Sequence, residues 1–318
     1  MLEPIAALQT VSFWKSLRRN RLALLGLIML VAVLAMAVLA PTIAPYDPNE
    51  QIRVTLDDIY AAPNAEHFLG TDDAGRDVLS NFIYGSRVSL TVGLFASFIS
   101  IVIGGTIGIV AGFYGGRLEN LLMRFTDIML VIPDLPLAVV LVALIGPSLI
   151  NIILVIGILG WTTTARLVRS QTLSVKQRKF VLRARAIGAG NLHIIRRHIF
   201  PLVLPLMVVN TVIVISGAIL TESSLSFIGL ADPTTLSWGQ MLFFAFGRGA
   251  MSAGAWWALI PPGLGIVWVV LACTLLGQGL EQILNPRLEA HHLSVGEKMV
   301  ARAKKERAAL EPSGESAG

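Results

Sequence analysis

Long stretches without a charged side chain are the dominant feature of the sequence. Residues 88–112, for example, contain no Asp, Glu, Lys or Arg. An α-helix of about 20 apolar residues crosses the bilayer core of about 30 Å, so a run of this length is typical of a membrane-spanning helix. Six largely apolar runs predict an all-α membrane protein with six transmembrane helices, at residues 22–44, 88–112, 122–146, 149–168, 202–222 and 258–280.

The composition also favours a membrane protein. Apolar residues make up 54% and charged residues 14% of the chain, whereas about a quarter of the residues in soluble domains are charged. The net charge of +5 would suit nucleic-acid binding as well, but the basic residues alternate with apolar runs, as membrane topology requires. The single cysteine, Cys273, excludes an internal disulfide and a cysteine-cluster metal site.

The distribution of Lys and Arg predicts the orientation. If both termini are cytoplasmic, 21 of the 25 Lys and Arg residues lie inside and 4 lie outside. Because cytoplasmic loops carry the excess of basic residues, we expect cytoplasmic N- and C-termini. The predicted organisation is an N-terminal cytoplasmic or interfacial segment (1–21), the first transmembrane helix (22–44), an extracytoplasmic loop (45–87), a core of five transmembrane helices with a cytoplasmic loop at 171–201 (88–285), and a cytoplasmic tail (286–318).

Motifs of common catalytic sites are absent from the sequence. It contains no G-x-x-x-x-G-K-[ST], so it cannot cradle nucleotide phosphates with a P-loop. Neither H-E-x-x-H nor G-x-S-x-G occurs, and the five histidines do not cluster on a predicted intramembrane face. We therefore predict no catalytic, cofactor-binding or metal-binding residue in this chain.

One acidic residue is expected deep in the membrane. Asp134 lies about 15 Å along the third span from its cytoplasmic end and is flanked by Pro133 and Pro136. The two prolines predict a kink or break that frees backbone carbonyls. An ionisable group at this depth usually faces protein or water, so Asp134 either lines a transport pathway or makes a structural hydrogen bond between helices.

Other polar and small residues suggest structural roles. Arg124 and Asp127 are i,i+3 neighbours and are expected to pair. Glu222 is expected near the outer interface as an interface residue or cap, and Thr71 or Asp72 is placed to cap a helix. Small residues in spans two and four would permit close helix packing; they are Gly104, Gly105, Gly108, Gly157 and Gly160.

Residues 171–201, called the basic segment below, separate two apolar runs. Nine Lys or Arg residues occur between positions 166 and 197, and no acidic residue occurs between Asp134 and Glu222. Gly188 and Gly190 divide the segment into two helical pieces with apolar stripes, formed by Phe180, Ala184 and Ile187 in the first and by Leu192, Ile195 and Ile199 in the second. Such faces predict a protein partner or, alternatively, helices on the lipid surface.

The basic segment resembles the cytoplasmic loop of permease subunits of ABC importers, within the dipeptide/oligopeptide and nickel branch. That loop carries Glu-Ala-Ala, three residues, Gly, then nine residues before Ile-x-Leu-Pro. Here Ala184 matches the second Ala, Gly188 the Gly and Pro201 the Pro, whereas Leu182 stands where Glu is usual. Four further segments resemble the second, C-type permease: LGTDDAGRDVLSNFIYGSRVSLTVG, ARLVRSQTLSVKQRKFV, LTESSLSFIGLADPTTLSWGQML and LGQGLEQILNPRL.

The resemblance implies a type I ABC importer fold in the inner membrane of a prokaryote. It implies a second homologous permease subunit, two cytoplasmic ATPase subunits that carry ATP and Mg, and an extracytoplasmic solute-binding protein. Residues expected at the ATPase contact are Phe180, Arg183, Ala184, Arg185, Ile187, Gly188, Leu192, Ile195 and Pro201; those expected along the pathway are Pro133, Asp134 and Pro136. The implied cargo is a peptide, with nickel or another small solute as the alternative; a stand-alone secondary transporter and a membrane enzyme or assembly factor are the rival classes.

Overall fold

The computed structural model describes residues 16–48 and 55–284, and within them the regular structure is helical. The α-helices named below are α1 (Arg21–Val38), α2 (Ala40–Ile43), α3 (Val78–Tyr114), α4 (Gly116–Val131), α5 (Asp134–Ile145), α6 (Leu149–Leu159), α7 (Trp161–Lys176), α8 (Lys179–Ala186), α9 (Asn191–Ile194), α10 (Phe200–Phe227), α11 (Trp238–Gly247) and α12 (Ile260–Leu284). The predicted tail (286–318) and most of the predicted N-terminal segment lie outside the described residues.

Five helical units are long and apolar enough to cross a membrane, and one bent pair makes a sixth span if α4 and α5 are counted together. The all-α class with six spans is therefore confirmed. Several helices extend beyond the predicted spans, because a charged or polar residue that ends an apolar run does not by itself end a helix. The second span, for example, is a helix of 37 residues, about 55 Å long.

Glycines bring α3 and α7 into close contact at the centre of the bundle. A Cβ atom at Gly104 would lie 2.5 Å from the carbonyl oxygen of Trp161, and one at Gly108 would lie 2.6 Å from that of Ala165. Only a residue without a side chain permits such an approach between backbones. The predicted packing role of these glycines is confirmed.

The first helix packs against the last through a similar contact. A Cβ at Gly279 of α12 would lie 2.5 Å from the Cβ of Ala23 in α1. Asn20 caps α1 by accepting hydrogen bonds from Leu22 N and Ala23 N, and its Nδ2 donates to Gln282 Oε1 at 2.8 Å. This contact joins the two ends of the described chain.

The loop that precedes α3 (55–77), which was predicted to be extracytoplasmic, is folded onto the start of that helix. Asp77 is the N-cap of α3: its Oδ2 accepts a hydrogen bond from Ser80 N at 2.7 Å. The expectation that Thr71 or Asp72 would cap this helix is therefore wrong, because the helix begins later, at Val78. Instead, Trp257 Nε1 donates a hydrogen bond of 3.1 Å to the backbone carbonyl oxygen of Thr71, which ties the loop to the segment before α12.

Charged pairs hold the loop in place. The guanidinium of Arg76 lies 2.9 Å from the carboxylate of Asp72, and Arg248, just after α11, pairs with Asp73. The hydroxyl of Tyr60 donates to the carbonyl of Arg248 at 3.2 Å, and partial burial together with the charge of Asp73 raises the pKa of Tyr60. The loop is thus a folded cap on one end of the bundle.

Candidate functional site: the broken span and the basic segment

The third span is broken at the predicted position. Helix α4 ends at Val131, α5 begins at Asp134, and the two helices are bent by 85°. Ile132 adopts an extended conformation, with φ −80° and ψ 124°, as expected of a residue that precedes a proline. Pro133 is the N-cap of α5 and Pro136 lies in its first turn, where the missing N–H costs nothing.

A cavity of about 370 Å³ adjoins the break. Asp134 lines it from α5, Thr163 from α7, and Asn210 and Thr221 from α10. The amide nitrogen of Asn210 donates to Thr164 Oγ1 at 2.9 Å, which links α10 to α7. Asp134 therefore faces an open space, and its neighbours there include neutral polar groups.

The other acids of the broken span are paired with α7. Asp127 lies 2.6 Å from the guanidinium of Arg166, and Glu119 accepts from Arg169 Nε at 2.6 Å. The expected pair between Arg124 and Asp127 is therefore not formed; because α7 runs beside α4, Arg166 reaches the carboxylate instead. These pairs fix the first half of the broken span to the helix that leads into the basic segment.

The basic segment is a helix, a tight turn and a second helix, as the two glycines predict. Gly188 has a φ of +85°, a conformation that favours glycine. After α9, residues Ile195–Ile199 form one π-helical turn that leads without a loop into α10. Pro201 lies in the first turn of α10. The helical unit from Asn191 to Phe227 is thus continuous over 37 residues.

The inner face of the basic segment packs on its own bundle. Val181 and Ala184 of α8, together with Ile194 and Ile199, are buried in a cluster with Phe113 at the end of α3. Ala184 is only 8% exposed. The chain itself, rather than a partner, therefore covers Ala184.

The outward face of the segment is also apolar. Ile187 is 86% exposed, Leu192 60% and Leu182 51%, while Phe180 is 40% exposed. The two predicted stripes are thus wrong as continuous faces: Ala184 and Ile199 point inwards, Ile195 is half-buried, and Ile187 and Leu192 point outwards. Helical spacing correctly identified two amphipathic helices. Val181 and Ile194, however, which the predicted stripes did not include, are fully buried.

The basic side chains of the segment divide into two groups. The guanidinium of Arg185 lies 5.6 Å from the centroid of the Phe113 ring, and the ammonium of Lys176 lies 5.9 Å from it. Both cations therefore contact an aromatic face of their own chain. Arg183 and Arg185 are both exposed, but Arg183 makes no such ring contact among the described residues, which makes it the better candidate for a polar contact at the rim of an interface.

Sequence reasoning missed a buried polar cluster around Glu222. This residue is 2% exposed, and its carboxylate accepts a hydrogen bond from Ser226 Oγ at 2.7 Å. Ser223 and Ser89 also donate to it, at 3.3 Å and 3.4 Å. The sequence pattern that could have identified this cluster is an isolated acidic residue followed by serines one and four positions later, Ser223 and Ser226. Glu222 is thus a buried link between α10 and α3, rather than an interface residue or cap.

The fold is similar to that of a chain in a solved membrane-transporter structure. A chain in the structure described as inward-facing conformations of the MetNI methionine ABC transporter matches with a TM-score of 0.51 and 18% identity, over 65% of this chain and 95% of that chain. The likeness shows that the two chains share a fold.

Sequence comparisons place the chain more narrowly. Residues 104–290 match the family described as binding-protein-dependent transport system inner membrane component, and residues 9–63 match the N-terminal TM domain of oligopeptide transport permease C. The chain therefore belongs to the family of binding-protein-dependent transport system inner membrane components.

Three relatives of named function are similar to this chain over most of its length. The dipeptide transport system permease protein DppC of Haemophilus influenzae is 41% identical, over 87% of this chain and 94% of the relative. The di/tripeptide transport system permease protein DppC of Pseudomonas aeruginosa is 40% identical, over 87% and 92%. The glutathione transport system permease protein GsiD of Escherichia coli is 37% identical, over 87% and 90%.

Proposed function

We propose that this chain forms half of the translocation pathway of an ATP-driven peptide importer in the inner membrane of a prokaryote. The observation that carries the proposal is the exposed apolar tip of the basic segment, where Ile187 is 86% exposed beside Gly188. Leu182 and Leu192 are also exposed within five residues of it, and a group of exposed apolar side chains marks a protein-contact site where a single one does not. A groove on a separate ATPase subunit is the partner that the family membership favours.

The continuous path from the tip to the cavity supports a mechanical role. Ile187 lies on the turn that precedes α9, and α9 continues through the π-helical turn into α10. Asn210, Gly217 and Thr221 of α10 line the cavity beside Asp134. A displacement of the tip would therefore move one wall of the cavity as a rigid body, as in two-state domain movements.

The chain supplies no chemistry of its own in this proposal. ATP and Mg are bound by two cytoplasmic ATPase subunits, and this chain binds no cofactor and catalyses no reaction. Closure of the ATPases on ATP moves the basic segment, and the pathway then opens alternately to the two sides of the membrane. A second, homologous permease completes the pathway, because the cavity described here belongs to one half only.

An extracytoplasmic solute-binding protein would deliver the cargo to the outer face. The folded outer loop offers it a firm surface, held by the pairs of Asp72 with Arg76 and of Asp73 with Arg248. The named relatives transport dipeptides, di/tripeptides and glutathione, so the cargo proposed here is a small peptide. Nickel or another small solute is the alternative cargo.

Reconstitution into lipid vesicles tests this function. The complex would be purified through a tag on this chain and assayed for uptake of a labelled dipeptide, with the binding protein outside and ATP inside. We expect uptake with ATP and none with a non-hydrolysable analogue or without the binding protein. Uptake driven by an ion gradient without ATP would contradict the proposal and identify a secondary transporter. Uptake of nickel chelates but not of peptides would identify the alternative cargo.

A further inference from the structure

Asp134 is the one ionisable side chain among the described residues that line the 370 Å³ cavity. The remaining lining is apolar or carries neutral hydroxyl and amide groups, among them Thr163, Asn210 and Thr221. A carboxylate is costly inside a membrane unless a cation, hydrogen-bond donors or water compensate it. The cavity is thus mostly apolar, with a few neutral polar groups and one carboxylate in its lining.

No partner for this carboxylate is found in residues 16–48 and 55–284. Asp127 and Glu119, in the other half of the same span, are paired with Arg166 and Arg169. Within those two ranges, Asp134 takes part in neither an ion pair nor a side-chain hydrogen bond. The charge of Asp134 is therefore available to a molecule in the cavity.

Stabilisation of α5 does not account for the position. A carboxylate can cap a helix by accepting a backbone N–H, but the N-cap of α5 is Pro133 and no side-chain cap hydrogen bond is formed there. Asp134 gains only the weaker interaction with the helix dipole. Metal binding is also unsupported, because the described residues contain no cluster of three or more His, Cys, Asp or Glu side chains that could hold a metal ion.

We propose that Asp134 is a subsite for the ammonium group of the cargo, so that the pathway favours small peptides with a free amino terminus. This inference rests on the proposed function, in which the cavity is part of the pathway. A charge-assisted contact with Asp134 replaces part of the water that the ammonium loses on entering the membrane. Thr163 and Asn210 supply weaker polar contacts beside it, which permits release as well as entry.

The first test measures the electrostatic potential of the cavity without using any cargo. Gly217 lines the cavity, and a Cβ atom there would have nothing within 4 Å, so Gly217→Cys places a thiol in open space. The buried Cys273 is changed to Ala. Cationic and anionic methanethiosulfonate reagents of similar size are then compared in the assembled transporter. We expect Asp134→Asn to lower the ratio of cationic to anionic labelling rates about fivefold.

Asp127→Asn is the matched control, because it removes a carboxylate from the same broken span at a residue that does not line the cavity. The control should leave the ratio of labelling rates within about twofold of its starting value, since its exposed charge is screened by solvent. If Asp134→Asn changes the ratio no more than Asp127→Asn does, the inference is overturned, whatever the cargo proves to be.

The second test uses transport of a dipeptide with a free amino terminus and of its N-acetylated analogue. We expect Asp134→Asn to lower the uptake ratio of the free to the acetylated form about tenfold, with recovery in Asp134→Glu. Equal losses for both peptides would overturn the inference and leave Asp134 with a structural role. If the wild type imports no peptide at all, the proposed function fails, while the labelling ratio still decides whether the cavity favours cations.

Discussion

The carboxylate of Glu222 in α10 and the hydroxyl of Ser89 in α3 lie 3.4 Å apart, although 133 residues separate them in the chain. Ser226 donates to the same carboxylate at 2.7 Å. Glu222 and Ser89 both lie towards the end of the bundle that carries the loop before α3. The pair is therefore a polar clamp between α3 and α10, the helix whose Asn210, Gly217 and Thr221 line the 370 Å³ cavity.

Removal of this clamp should destabilise the protein. Glu222→Leu leaves the buried serine hydroxyls without their acceptor, at a cost of about 1–3 kcal/mol, whereas Glu222→Gln retains an acceptor oxygen and should be milder. The thermal unfolding midpoint of the purified complex measures the difference. Ser226→Ala should lower the unfolding midpoint less in the Glu222→Leu variant than it does in the wild type, because the hydrogen bond it removes is already lost. A Glu222→Leu variant as stable as the wild type would show that the clamp is not needed.

The close contact between α3 and α7 can be tested by adding a side chain at Gly108. Gly108→Leu forces a side chain into the space between the two backbones, where a Cβ alone would lie 2.6 Å from the Ala165 carbonyl oxygen. We expect loss of at least about 3 kcal/mol or failure to assemble. The matched control is Gly263→Ala in α12, where a Cβ meets nothing within 4 Å; it should be neutral or slightly stabilising. Equal effects of the two substitutions would contradict the described packing.

The orientation predicted from charge can be measured with single cysteines. Ala65, in the loop before α3, and Gln177, in the basic segment, are both exposed, and the native Cys273 is buried. In intact cells, Ala65→Cys should react with a membrane-impermeant thiol reagent, and Gln177→Cys should react only after the membrane is opened. The reverse pattern would overturn the orientation derived from the excess of basic residues on one side.

Much of the fold could be predicted because the bilayer imposes simple rules. Charge-free runs located the spans, and Pro133 with Pro136 located the break, since proline affects backbone hydrogen bonding wherever it occurs. Gly104 and Gly108 indicated close packing without naming the partner helix. The bend of 85° did not follow from the prolines, because its size depends on how α5 packs against α6 and α10.

The candidate site was harder to predict from one chain. The spacing of Phe180, Ala184 and Ile187 identified an amphipathic helix, but periodicity does not say whether a face packs on its own bundle or on a partner. In the structure Ala184 packs on the chain's own bundle, whereas Ile187 is exposed. Arg185 was expected at the rim of an interface, yet its guanidinium lies over Phe113, a contact between residues far apart in sequence. The ATPase contact itself stays a prediction.

This distinction decides which substitution tests the coupling role. Ala184→Asp would place a charge in the chain's own core and would disturb folding whether or not a partner binds there. Ile187→Asp changes an exposed side chain and should leave the membrane-inserted permeases intact. Gly188→Val strains the turn at φ +85°. Arg183→Ala removes one exposed charge and is the mild comparison.

The most direct test of the coupling role is ATP-driven dipeptide uptake by vesicles that contain the Ile187→Asp transporter, compared with the wild type and Arg183→Ala. Equal amounts of assembled permease would be confirmed first. Because a charge buried at an apolar interface is strongly unfavourable, we expect Ile187→Asp to lower uptake and peptide-stimulated ATP hydrolysis together by at least about tenfold, with less ATPase bound. Arg183→Ala should lose no more than about threefold. Normal uptake and ATPase binding by Ile187→Asp would show that the exposed tip is not the coupling element.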